Sequence, residues 1–160
     1  MQVFFTQIKT IAQNQIFLAA ITSWLLSQFI KTFIGFCGSS VHSLPVFFDL
    51  LVWRTGGMPS SHSSLVTSLC TTIGFRNGIN SDIFCFALVF FLVVIRDAFG
   101  VRRSSGMQAH KLNEIGNELS TKSILDIFKP LKEVDGHTPM EVLCGCFLGF
   151  FIGLAFSLLK

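Results

Sequence analysis

Long runs without charge set the pattern of this chain. Thr10 to Ile30 holds no Asp, Glu, Lys or Arg over 21 residues, and Lys31 closes the run. Thr55 to Phe75 is also free of charge, but its first third is Gly, Pro and Ser, so a helix there starts near Ser60. Ile83 to Ile95 is apolar throughout, and Val142 to Leu159 is apolar, Gly or Ser. A helix that crosses a bilayer needs about 20 mostly apolar residues. The pattern predicts an all-α fold, an integral membrane helical bundle formed as one domain. It has about four spans, near 11–35, 60–76, 80–101 and 139–159. The second span is the most polar, because it carries Thr67, Ser68, Thr71 and Thr72.

Two connections separate these runs. The first, 37–55, contains an apolar stretch from Leu44 to Trp53 that is too short to span and would lie in the interface or re-enter. The second, 104–136, is the most polar part of the chain. Within it Leu112, Ile115 and Leu119 recur at helical spacing, as do Ile124, Phe128 and Leu131. Two short amphipathic helices fit this pattern, either on the membrane surface or packed on the end of the bundle. Gly145, Gly149 and Gly153 recur every four residues in the last run, a spacing that lets helices approach closely.

Composition agrees with a membrane setting. Hydrophobic residues make up 51% of the chain and charged residues 13%, and mean hydropathy is +0.63; average soluble usage is about 25% charged. Net charge is +3 with no dense Lys/Arg run, so no nucleic-acid partner is expected. The five cysteines are odd in number and contain no C-x-x-C pair, and they read as small buried apolar residues rather than disulfides or metal ligands. No cleaved signal peptide is expected, since only Lys9 precedes an apolar run longer than a signal core.

Four spans would alternate the charges between two faces. Lys31, Arg54, Arg96, Arg102, Arg103, Lys111, Lys122, Lys129 and Lys132 fall on one face, nine against the three of Lys9, Arg76 and Lys160. The positive-inside rule makes the basic face cytoplasmic. A bacterial inner membrane is the expected setting, with an organelle membrane as the alternative. His62 and His137 begin spans on the same face, so residues distant in sequence can converge there.

Three motifs on that face carry chemistry. In Thr55-Gly-Gly-Met-Pro-Ser-Ser-His-Ser-Ser64 the glycines free the backbone and serines cap a helix. The helix start can hold an anion, and Ser60, Ser61 and His62 are candidates to contact a phosphate or to protonate a leaving group. An ordinary Gly-Pro turn with a Ser cap explains the same residues. In Ile95-Arg-Asp-Ala-Phe-Gly-Val-Arg-Arg103, Arg96, Arg102 and Arg103 are candidates for bidentate phosphate contacts, with a cytoplasmic basic anchor as the plainer reading. In Gly136-His-Thr-Pro-Met-Glu-Val142, Thr138 to Glu141 reads as a capping box with Pro at the first helical position. The functional reading instead pairs His137 with Glu141, a carboxylate that sets the imidazole tautomer.

Taken together, Gly-Gly-Met-Pro-Ser-Ser-His-Ser, Asp-Ala-x-Gly-Val-Arg-Arg, Leu112-Asn-Glu and Gly-His-Thr-Pro-x-Glu-Val-x-x-Gly resemble the divergent branch of the type 2 phosphatidic acid phosphatase superfamily, also described as acid phosphatase/vanadium-dependent haloperoxidase-related. The resemblance covers most of the chain. It implies that His137 is the nucleophile of a phosphohistidine mechanism, Glu141 its orienting carboxylate and His62 the general acid. Lys31 and Arg54 are candidates for the remaining phosphate-binding roles. The chain departs from the wider superfamily in having Ser61 where that superfamily has Gly and Glu141 where it has Asp. Arg102 also stands 35 residues before His137, far from the superfamily's placement of its arginine.

The implied function is hydrolysis of a lipid phosphate or diphosphate ester, with no metal and no cofactor. The partners would be a phosphorylated lipid substrate and membrane lipids, with self-association into a homo-oligomer left open. The alternative is a non-catalytic membrane protein that binds anionic lipid headgroups in the same basic pocket. A vanadate-binding haloperoxidase relative ranks last, since such enzymes are soluble.

Overall fold

A computed structural model describes residues 1–37, 57–124, 128–131, 133 and 136–159, with backbone alone at Val3, Ile8, Cys37, Phe99, Arg102 and Arg103. Arg54 and the apolar stretch from Leu44 to Trp53 lie outside the described residues. The described residues form six helices: α1 (Gln2–Ala12), α2 (Gln15–Cys37), α3 (Ser61–Asn77), α4 (Asp82–Phe99), α5 (Val101–Thr121) and α6 (Pro139–Leu158).

The boundaries follow from local chemistry. The first apolar run was expected to start near residue 11, but the helix breaks at Gln13–Asn14 and restarts at Gln15. The cause is Asn14, whose Oδ1 accepts from the N–H groups of Ile16 at 2.9 Å and Phe17 at 3.2 Å, satisfying two donors that a helix start leaves open. Ser60 caps α3 and Ser81 caps α4, each accepting from the backbone N–H three residues on. The polar connection also differs from expectation. Its first half is one continuous helix, α5, whereas residues 128–131 are not helical. They run back along α5, with the Phe128 ring lying over Gly116 and Leu131 held by Asn113. At 128–131 side-chain anchorage stands where a helix was expected.

α3 is the central helix. It packs against α2, α4 and α6, and its largest interface is with α6. Its polarity is explained by that position. Ser61, Ser63, Ser64, Ser68 and Thr72 of α3 are all buried, and so are Ser23, Ser27, Gln28, Lys31 and Thr32 of α2. The large apolar side chains point the other way: Phe29 and Phe33 of α2, Phe86 and Val93 of α4, and Phe147 and Phe151 of α6 are exposed. A protein in water hides its large apolar groups and shows its polar ones. Here small and hydroxyl-bearing residues fill the inside and apolar bulk faces out, as helix packing in lipid favours. Of the described cysteines only Cys70 is buried; Cys85 is exposed, and Cys144 and Cys146 are half-buried. The expectation of buried cysteines therefore fails for these three, which share the outward, apolar-facing surface.

Among the described residues, two helices are long and apolar enough to cross a membrane, Gln15–Phe36 and Pro139–Leu158. α4 has the length but carries Asp82, Arg96 and Asp97 at its ends. α3 has 17 residues, about 25 Å of helix at 1.5 Å per residue.

Candidate active site

The site is built where α3 and α6 begin. The two helices run parallel and in register, because glycines on α6 meet backbone on α3. A Cβ at Gly145 would stand 2.4 Å from Ser60 O, at Gly149 2.2 Å from Ser64 O and at Gly153 2.7 Å from Ser68 O. Only hydrogen at these positions permits such an approach. The Ser60 N–H then donates to the Glu141 carbonyl at 2.9 Å. This bond ties the Pro-Ser-Ser-His turn to the Gly-His-Thr-Pro turn across 81 residues of sequence.

Within the α6 turn the two sequence readings prove to be one arrangement. The Thr138 hydroxyl accepts from the Glu141 N–H at 3.4 Å, and Glu141 Oε2 accepts from the Thr138 N–H at 3.2 Å, completing a capping box. The same Oε2 stands 2.9 Å from His137 Nδ1. An ionised carboxylate only accepts, so Nδ1 is the donor in this pair, and in the neutral imidazole that arrangement puts the lone pair on Nε2. His137 is buried at 6% exposure. A buried imidazole held at one nitrogen by a carboxylate has a fixed orientation.

Around this pair the other expected residues take different places. His62 is exposed in the first turn of α3. Ser60 and Ser61 are buried; the Ser60 hydroxyl accepts from the Ser63 N–H at 3.4 Å and the Ser63 hydroxyl at 2.9 Å, so its acceptor capacity serves the helix cap. Lys31 is 2% exposed, and its stem lies against Gly57, where an added Cβ would meet Lys31 Cγ at 3.5 Å and Cδ at 3.7 Å. Gly57 has φ +80°, a conformation suited to glycine. The lysine of α2 is thus stationed beside the loop that leads to His62.

Arg96 stands elsewhere. It is exposed and lines a groove at the α4–α5 elbow, whose described lining comes from those two helices and the elbow. Arg102 and Arg103 belong to the first turn of α5, and their side chains lie outside the described atoms, as does Arg54. Among the described residues no group of three or more His, Cys, Asp or Glu is placed to hold a metal ion.

One residue escaped the residue-by-residue reading. Asn113 is buried, and its Nδ2 donates to Leu131 O at 2.9 Å and Glu133 Oε1 at 2.7 Å while its Oδ1 accepts from Leu131 N–H at 2.8 Å. It clamps a segment that ends six residues later at His137. Glu133 also meets His110 Nδ1 at 2.9 Å. The hydrogen bond from Asn113, and then that with His110, hold the Glu133 carboxyl below its ordinary range. On the next turn the Lys111 ammonium, hydrogen-bonded at 2.6 Å, lowers Glu114 in the same way. The available signal was the Leu112-Asn-Glu string, with an amide in an otherwise amphipathic helix.

Comparison with known proteins agrees with this reading at the level of family. The chain is 35% identical over 117 residues to the uncharacterized membrane protein YuiD of Bacillus subtilis (strain 168), an alignment covering 67% of this chain and 74% of that protein. No solved structure matches it. The model of the divergent PAP2 family matches residues 12–152. A match over that span, on a chain whose Pro-Ser-Ser-His and Gly-His-Thr-Pro turns meet at one end of two parallel helices, leads to one conclusion: this protein belongs to the divergent PAP2 family.

Proposed function

We propose that this protein is a membrane phosphatase that hydrolyses a lipid phosphate or diphosphate ester through a phosphohistidine at His137. The observation that carries the proposal is the Glu141 carboxylate, which holds His137 Nδ1 at 2.9 Å and leaves Nε2 as the attacking atom. In the first step Nε2 forms a bond to phosphorus and the ester oxygen leaves, taking a proton from His62. In the second, water attacks the phosphohistidine, gives its proton to His62, and inorganic phosphate departs from Nε2. Phosphoryl transfer depends mainly on positioning and charge stabilisation. The buried Lys31, whose stem lies against Gly57 in the loop that leads to His62, is the cation proposed to supply that charge. The proposed reaction is metal-independent, with His137 itself as the nucleophile.

In this proposal α2, α3, α4 and α6 all cross the membrane, and α3 crosses with its polar residues turned inward. The face bearing Ser60 and His137 is cytoplasmic, because the basic residues gather there. The test is phosphate release from a panel of lipid phosphates by the purified protein, with trapping of an acid-labile, base-stable phosphoprotein. Release and trapping that disappear in His137→Ala are the expected result; full activity in that variant overturns the mechanism.

A second reading, headgroup binding without turnover, has one observation in its favour. The Ser60 hydroxyl and the Glu141 carboxylate both serve helix caps. Lipid binding with no phosphate release from any member of the panel would select it.

A further inference from the structure

α4 continues as α5 through an elbow at Gly100, and the elbow opens a groove of about 670 Å³ lined by Arg96, Gly100, Val101, Ser104, Ser105 and Gln108. None of the described lining residues comes from α3 or α6, so among the described residues the groove is separate from the His137–Glu141 pair. Its described polar groups are all of a kind that binds phosphate oxygens: one guanidinium, two hydroxyls and an amide. Gln108 Nε2 donates to Ser104 Oγ at 3.3 Å, which leaves the Ser104 proton to be donated onward.

The groove is the upper end of a longer feature. At 100° per residue, Phe86, Val89, Val93, Arg96 and Gly100 fall on one stripe of α4 about 80° wide. Phe86, Val89 and Val93 are all exposed. From Phe86 to Arg96 the stripe is about 15 Å long, half the ~30 Å hydrocarbon thickness of a bilayer. An apolar track one leaflet long that ends in a cation and hydroxyl donors has the dimensions and polarity of a single membrane lipid. A basic residue that merely anchors a span needs neither the groove nor the donors around it.

We infer that the α4–α5 elbow is a binding site for an anionic phospholipid, with the phosphate against Arg96 and Ser104 and one acyl chain along Phe86, Val89 and Val93. The lipid occupies this site as a ligand, not as a substrate, and the inference stands whether or not His137 is catalytic.

The test is native mass spectrometry of the full chain released from detergent, titrated with phosphatidylglycerol or phosphatidylcholine. One phosphatidylglycerol per protomer is expected, retained about tenfold more tightly than phosphatidylcholine, as a charge-assisted contact implies. Arg96→Gln brings the two lipids to near-equal retention. Arg96→Lys, which keeps the charge and loses the fork, falls between, and Val93→Ser weakens retention of both lipids. In His137→Ala the preference persists. The inference is overturned if Arg96→Gln, or Arg96→Lys together with Ser104→Ala should the first variant fail to fold, retains phosphatidylglycerol as the parent does. It is overturned equally if millimolar inorganic phosphate displaces the lipid, which would reduce the site to a headgroup pocket, or if His137→Ala loses the preference, which would place the lipid at the histidine.

Discussion

Glu141 has two functions that separate under mutation. Its carboxylate caps α6 through Thr138 and orients His137 through Nδ1. His137→Ala removes only the second partner, so it should abolish turnover and phosphoprotein while the melting curve barely moves. Thr138→Ala should do the reverse, lowering stability by about 0.5–2 kcal/mol with turnover kept. Glu141→Gln retains a carbonyl oxygen that accepts from both groups, so it should slow turnover less than Glu141→Ala, which loses cap and orientation together. Phosphate release and thermal melts on these four variants check the set. Ser68 offers a contrasting residue. Its hydroxyl is buried with no hydrogen-bond partner among the described residues, and an unpaired buried hydroxyl costs about 1–3 kcal/mol. Ser68→Ala should therefore be neutral or stabilising in the same melt.

Among the elements, the α3–α6 pair sets the site. Gly149→Ala would push a methyl group to 2.2 Å from the Ser64 carbonyl, and backbone cannot move aside as a flexible side chain can. Separation of the two helices should cost about 1–3 kcal/mol. It should also lower turnover more than that stability loss explains, because misplacing catalytic groups by about 1 Å can cost 10²-fold. The second pairing that matters is α5 with the segment before α6. Asn113→Ala removes three hydrogen bonds to Leu131 and Glu133, so trypsin and Glu-specific protease should cut faster between 122 and 136 than in the parent. Acid should weaken the same anchorage. The Glu133 carboxyl lies below its ordinary 4.5, held there by Asn113 and His110. Its contribution is therefore complete above about pH 4.5 and declines as pH falls through the lowered value. Lys111 and Glu114 share this face of α5, and the lowered Glu114 titrates in the same direction. Cleavage in the segment should accelerate in acid for the parent, and the acceleration should shrink in Asn113→Ala.

At the scale of the whole molecule, the exchange of usual positions between large apolar and small polar residues governs everything else. Most interior hydroxyls find partners: Ser23 and Ser64 share a 2.6 Å bond between helices, and the Thr72 hydroxyl reaches Ser68 O of its own helix and Gly153 O of α6. In hydrocarbon such groups have no water to turn to, so pairing inside is favoured, and Ser68 is the exception. The arrangement also assigns sides. α2 and α4 run against α3, as Arg76 meeting Gln15 and Phe84 packing on Gly74 require, so the α3–α4 turn and the α4–α5 elbow stand at opposite ends of the bundle. With the native cysteines replaced, a single cysteine at Asn80 should react with a membrane-impermeant maleimide from the side opposite to one at Ser104. Labelling of both from one side would contradict a spanning α4.

Several features were legible because they are local. Helical character followed from charge-free runs and spacing. The Ser60 cap, the Thr138–Glu141 box and the His137–Glu141 pair all lie within four residues of sequence, where the helix itself dictates contact. The sequence by itself thus determined a helical membrane protein with two histidine-bearing helix starts and the family motifs. The break at Asn14 was equally local but hidden inside an apolar run, where hydropathy outweighed one capping side chain. Tertiary structure alone decided that α3, the most polar of the expected spans, is the central helix, that Gly145, Gly149 and Gly153 meet Ser60, Ser64 and Ser68, that Lys31 lies on Gly57, and that Arg96 faces its own groove. These contacts join residues tens of positions apart, and periodicity shows which face of a helix is small or polar without showing which neighbour will meet it.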